Sequence, residues 1–206
     1  MFTLMFVVHL SLSVQASAPV QGNVLDRIVA TVNSEVVTQS DVRAARQLKL
    51  IAGADAMSDD QLLDALIERR LTINEVARYT SAAPPAADVD ARRKAWEATL
   101  LRGTSTASAL AMVGMREAAL TEWFRDDLRL AAYLDQRFTA AAQPTRQQAT
   151  AYFQEHTADF AVNGVTPEFA SVEPEVRRRV AAERRAARIK EWVAGLKQRA
   201  EIRRRG

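Results

Sequence analysis

Cysteine is absent from this chain of 206 residues, which excludes a disulfide framework, a thiolate metal site and a cysteine nucleophile together. Histidine is almost as scarce. Only His9 and His156 occur, so an imidazole relay or a zinc site would have to be built around one or two rings. With 7 glycines and 6 prolines, the chain is also poor in the turn residues that a sandwich or barrel of short strands must repeat. These absences argue for a mainly helical protein and against an enzyme. Apolar residues make up 48% and charged residues 26%, enough to bury a core and unlike a disordered chain. The formal charge is only +3, but it is unevenly spread. From Glu175 to Gly206, 12 Lys and Arg stand against 4 Glu, giving +8 there and −5 for the rest. Such a basic segment suits nucleic acid, anionic lipid or an acidic partner, and composition does not choose among them.

The first residues read as a secretory signal. Phe2 to Val14 is mostly apolar and too short to span a bilayer, and Ala16-Ser17-Ala18 has the A-x-A form of a cleavage site. The usual Lys or Arg at the start is missing, as a misplaced start codon would explain. A cut after Ala18 removes His9 and places the mature chain outside the cytoplasm.

Along the mature chain, Asp26 to Val32 and Glu35 to Thr38, split by Asn33-Ser34, predict a β-hairpin. Ser40 is the expected N-cap of a helix running from Asp41 to Ile51 and ended by Gly53. Ser58 starts a second helix to about Tyr79, with Leu62, Leu63, Leu66, Ile67 and Leu71 as its apolar stripe. Thr80 to Ala87 contains Pro84-Pro85 and predicts a connection, after which Asp88 caps a helix carrying Trp96, Leu100 and Leu101. A short helix over Thr106 to Val113 ends at Gly114. The long amphipathic pattern that follows places Leu120, Trp123, Phe124, Leu128, Ala131, Leu134 and Phe138 on one face. Pro144-Thr145 introduces a helix to about His156. A last helix is expected from about Glu175 to Leu196, charged nearly all round in its first half, with Ile189, Trp192, Val193 and Leu196 forming a face that needs a partner in its second. Ala200 to Arg204 reads as a short closing strand.

Asp26-Arg27-Ile28-Val29-Ala30-Thr31-Val32-Asn33-Ser34-Glu35-Val36-Val37-Thr38-Gln39-Ser40-Asp41-Val42 resembles the mature opening of the SurA-type periplasmic chaperones, which are related to the foldases PpiD and PrsA. Leu62 to Ala77, Met115 to Phe138, Pro144 to Phe160 and Glu175 to Arg203 are similar to later segments of that family. The resemblance is weakest from Ala86 to Gly114. It implies a helical SurA-like module in which a short N-terminal hairpin is joined by a C-terminal helix and strand: residues 1–18 a signal, 19–160 the hairpin and helices, 161–174 a linker, 175–206 the last helix and strand. SurA-like proteins carry parvulin-type isomerase domains between the last two segments. Here only fourteen residues separate Phe160 from Glu175, where a domain needs about 50 or more.

The resemblance therefore implies an ATP-independent periplasmic holdase without isomerase activity, cofactor or metal, whose clients are unfolded outer-membrane proteins. A holdase needs an exposed apolar surface that tolerates many sequences, which flexible Met and aromatic side chains suit. Trp96, Met112, Met115 and Trp123 are the candidates for that peptide-binding groove, though core packing explains a Met or Trp on a helix equally well. The alternatives are a residual peptidyl-prolyl isomerase and, if residues 1–18 are no signal, an Arg-rich helix that binds nucleic acid or anionic lipid. A secreted holdase needs neither nucleic acid nor a stable membrane span. The sequence leaves open whether it works alone, beside a separate isomerase, or as a homodimer sharing its C-terminal helix.

Overall fold

The computed structural model describes residues 26–79, 82–100 and 103–205; the expected signal segment lies outside them. Strands β1 (Ile28–Val32) and β2 (Glu35–Thr38) pair antiparallel about Asn33-Ser34, with Val32 opposite Glu35 and Ala30 opposite Val37. Asn33 takes the left-handed backbone at φ 55°, a conformation asparagine tolerates better than most residues. The free edge of β1 receives β3 (Ile202–Arg204), giving the order β2-β1-β3. This tie is doubled at the turn. The Asn33 N–H donates to the Glu201 carbonyl at 2.7 Å, and the Glu201 N–H donates to Asn33 Oδ1 at 3.0 Å.

Helix α1 (Gln39–Gln47) begins directly from β2, and Thr38, not Ser40, is its N-cap. Thr38 is still extended, so its hydroxyl accepts from the Asp41 N–H while the Asp41 carboxylate accepts from the Thr38 N–H at 2.9 Å, a reciprocal capping box. Ser40 already lies in the first turn, where its hydroxyl bonds Asp26 instead. The helix also stops earlier than expected. The Leu50 N–H reaches back to the Ala45 carbonyl at 3.0 Å and the Lys49 N–H to Arg46 at 3.1 Å, a Schellman closure that puts Lys49 at φ 50°. Gly53, at φ 75°, opens a short 3-10 turn over Ala54–Ala56.

Helix α2 (Asp59–Ala77) has the expected cap, Ser58 with Gln61, and buries all five residues of the expected stripe together with Thr72 and Val76. Helix α3 (Ala86–Glu97) starts immediately after Pro85, whose carbonyl accepts from Asp88 and Val89. Asp88 is thus a first-turn acid favoured by the helix dipole, not the cap. Helix α4 (Thr106–Val113) ends at Gly114, φ 67°, as read from the sequence. Helix α5 (Glu117–Phe138) buries Leu120, Phe124, Tyr133 and Phe138. Ala131 is exposed, and Tyr133 takes the inward place near it, between Tyr79 and Trp192. Helix α6 (Arg146–Glu155) is capped by Thr145 with Gln148.

The last helix departs most from expectation. Helix α7 spans Phe169–Arg199 and carries Pro174 inside it. Proline there removes the bond to the Ala170 carbonyl and costs stability. The extra turns repay it by bringing Phe169 onto Phe153, ring centroids 5.7 Å apart, and Val172 into the same cluster. The first half of α7 is also not solvated all round: Val176 and Val180 are buried against Ala149, Phe153 and Phe160. Its second half joins a different core, where Leu196 is buried with the sheet, α1 and α2, and Trp192 packs beside it. Ile189 and Val193 of the expected face stay half-buried and line an open cleft. A third cluster, around Leu48, Trp96, Leu110, Leu120 and Phe124, joins α3, α4 and α5.

Candidate functional site

Helices α2 and α5 splay apart over the end of β2 and leave a crevice of about 320 Å³. Leu66 and Ile73 of α2, Val37 of β2, Leu50, Met115 and Trp123 give it apolar walls. Asp41, Arg69, Asn74, Glu122 and Asp126 supply a polar rim. The α2 residues recur as Leu66, Arg69, Arg70, Ile73 and Asn74, spacings of three and four that form one helical face beside the buried stripe.

Trp123 is the hinge of this site. It packs against both the sheet-side core and the α3–α5 core, and its indole N–H is buried without a hydrogen-bond partner. An unbonded buried donor is unfavourable, so this indole is held where it is by packing alone. Arg69 lies over the ring, 3.6 Å from its centroid, donates to the Trp123 carbonyl at 3.0 Å and forms an ion pair with Asp127. Arg70 and Asn74 both donate to the Glu35 carboxylate at 2.8 Å, so α2 is also fixed to the hairpin turn.

The rim is electrostatically mixed. Burial pushes the Asp126 carboxyl above its usual range, against the pull of Arg69. Glu122 is held below the usual range by hydrogen bonds from Arg129 and Arg125. Such a crevice can seat an apolar side chain while its rim bonds a peptide backbone.

Of the four residues singled out from the sequence, the structure brings two together: Met115 and Trp123 line the crevice. Trp96 lies elsewhere, only 6% exposed, because its indole N–H is bonded to the Leu48 carbonyl at 2.6 Å and its ring packs on Phe124. Met112 is 66% exposed on α4 and lines no part of the crevice. Leu50, Arg69, Ile73 and Asn74 were not anticipated; the three-four spacing on α2 was the available signal. His156 caps the C-terminus of α6, stacks on Tyr152 with centroids 4.0 Å apart and shares its Nδ1 with the Tyr152 carbonyl at 2.9 Å. Among the described residues no group of three His, Asp or Glu is placed to hold a metal, and no helix is long and apolar enough to cross a membrane.

No family model and no curated protein matches the chain. Solved structures do match, among them one from Campylobacter jejuni. It comes from the pair formed by the virulence factor PEB4 and the periplasmic protein Cj1289, described as structurally related SurA-like chaperones. The match has a TM-score of 0.55 at 13% identity and covers 88% of this chain and 100% of that one. The fold is SurA-like. At that identity the likeness is one of architecture: a SurA-like helical module in which hairpin, bundle and C-terminal helix with strand close on one another.

Proposed function

We propose that the protein is a chaperone of the cell envelope that holds unfolded polypeptides, outer-membrane proteins among them, in the crevice between α2 and α5. The observation that carries this reading is the crevice itself: apolar walls with a flexible Met115 and the Trp123 ring, and a rim of mixed charge, on a SurA-like fold. Shape-tolerant apolar contact combined with a few polar groups is what a binder of many sequences requires. Binding of this kind uses no nucleotide and no covalent step.

Residues 19–206 act in this reading as one module, preceded by a cleaved signal. It carries no isomerase activity. In support, the stretch 161–168 between Phe160 and α7 holds only a two-residue turn, in which Val162 and Val165 exchange backbone hydrogen bonds at 3.0 Å around Asn163-Gly164. That leaves no room there for a domain of roughly 50 residues.

The test is light scattering of a denatured outer-membrane protein diluted into buffer with and without the protein, at stoichiometric ratios and without nucleotide. Suppression saturating near one-to-one is expected, weakened by Met115→Asp and unchanged by Met112→Ser. A folded protein that fails to suppress scattering overturns the holdase reading. Equal suppression by both variants removes the crevice as its site.

A further inference from the structure

Away from the crevice, α7 presents a second concave surface. Ala182, Ala186, Ile189 and Val193 recur at intervals of four, three and four, the spacing of a coiled-coil seam, and line a cleft of about 630 Å³ whose far wall includes Glu68 of α2. The stripe runs for about 16 Å along the helix, three turns. Ala182 and Ala186 are exposed, and small side chains at those places let a second helix approach closely.

Cations border this seam in the cleft, while Glu183 is turned to Tyr152 of α6. Arg185 and Lys190 border the stripe on opposite sides, and neither has an ion-pair partner among the described residues; Lys197, farther along, is paired with Glu68. Most other arginines of α7 are engaged: Arg177 with Glu173, Arg178 with Glu175, Arg179 with Asp159, and Arg184 with Gln148. Of the cations of α7 without an ion pair, Arg185 and Lys190 are the two that line this cleft, and the Arg185 Nε is buried without a hydrogen-bond partner.

We infer that this face of α7 docks an acidic amphipathic helix of a partner protein, with small or aliphatic side chains on the Ala182–Val193 stripe and carboxylates against Arg185 and Lys190. Charges flanking a helical seam select the partner, and two cationic flanks select acidic ones. The same charges disfavour a second copy of this chain, whose Arg185 and Lys190 would face their own kind. With Glu68 paired to Lys197, Arg185 and Lys190 are the unpaired charges of the cleft lining. This docking is independent of the client crevice.

The experiment uses the whole protein with three probes: a synthetic amphipathic peptide with Leu and Ala at the seam and Glu at the flanks, its twin with Lys for Glu, and vesicles containing phosphatidylglycerol. Binding is followed by fluorescence anisotropy at low and high salt, with vesicle binding by co-sedimentation. The Glu peptide is expected to bind, the Lys peptide to bind at least roughly tenfold more weakly, and salt to reduce the difference. Arg185→Glu with Lys190→Glu is expected to reverse the preference, and Lys190→Glu alone, at an exposed site that cannot disturb the core, to weaken the Glu peptide several-fold. Met115→Asp in the crevice should change nothing. Equal binding of both peptides, indifference of the Glu peptide to the charge reversals, or loss of its binding with Met115→Asp would each overturn the proposal. So would vesicle binding that the charge reversals abolish while the Glu peptide fails to bind, which would make the face a membrane contact.

Discussion

The guanidinium carbon of Arg69 lies 3.6 Å from the centroid of the Trp123 ring, so α2 holds the aromatic wall of the crevice by its face. The same side chain is only 13% exposed, pairs with Asp127 and donates to the Trp123 carbonyl. Removing it leaves Asp127 with the more distant Arg92, 3.6 Å away, and frees the ring. Arg69→Ala is therefore expected to lower stability by about 2–4 kcal/mol, since one partner of a half-buried pair is lost together with a cation–π contact. Urea unfolding followed by tryptophan emission checks both effects, with a red shift of the folded signal expected from the loosened Trp123.

Thr38 and Ser40 separate under substitution. Because the Thr38 hydroxyl and the Asp41 carboxylate cap α1 reciprocally, Thr38→Ala should cost about 1 kcal/mol. Ser40→Ala removes only a surface bond to Asp26 and should cost less than half as much. Paired thermal melts decide the order; a larger loss from Ser40→Ala would return the cap to the residue the sequence pattern favours.

Trp192 anchors the second half of α7 by packing its ring on Tyr133 and Phe138, at 5.6 and 5.9 Å between centroids, beside buried Leu196. Trp192→Ala is expected to destabilise by about 3 kcal/mol and Leu196→Ala by a similar amount, about 2–4 kcal/mol. Deleting 175–206 takes away these contacts, the buried Val176 and Val180, and β3, and should unfold the hairpin and bundle. Circular dichroism unchanged by that deletion would show the last helix to be an appendage.

The two acids of the crevice rim respond to pH with opposite signs. Burial raises Asp126, so its contribution to stability is full below the pKa of the unfolded chain and is lost as pH rises through the folded value. Hydrogen bonds from Arg129 and Arg125 lower Glu122, so its contribution is present above the unfolded pKa and is lost as pH falls through the folded one. Asp126→Asn can keep the bond from Arg129 while removing the buried charge. It should raise the urea midpoint at neutral pH, and the gain should vanish in acid below about pH 4, the ordinary aspartate range.

Much of the local structure was legible in the sequence because it rests on neighbouring residues. The α2 stripe follows from spacing alone, Ser58 starts α2 and Pro144-Thr145 introduce α6 where they were expected, and Gly114 stops α4. Lys49 could not be read this way: its left-handed backbone is imposed by Leu48, which must turn inward, so the helix closes at a lysine while a glycine waits four residues later. The start of α7 was hidden because Val172, Val176 and Val180 are scattered among arginines and follow or flank a proline. The crevice was harder still. Its walls come from segments some fifty residues apart, and nothing local distinguishes Trp123, whose indole N–H is left unbonded, from Trp96, whose indole N–H finds the Leu48 carbonyl.

Strand β3 also sets an order of events. Ala30 pairs with Arg204, so the central strand of the sheet waits for residues 174 positions later. Closing a loop of that length is entropically slow, whereas the hairpin, the α2 stripe and the α3–α5 cluster are made of closer contacts. During synthesis the N-terminal bundle emerges with one edge of β1 open and Leu196 missing from its core, and it is sealed only after α7 has left the ribosome. A pulling or arrest measurement along the nascent chain should find the main gain in folding force as Leu196 to Arg204 emerge, after the bundle residues are already out.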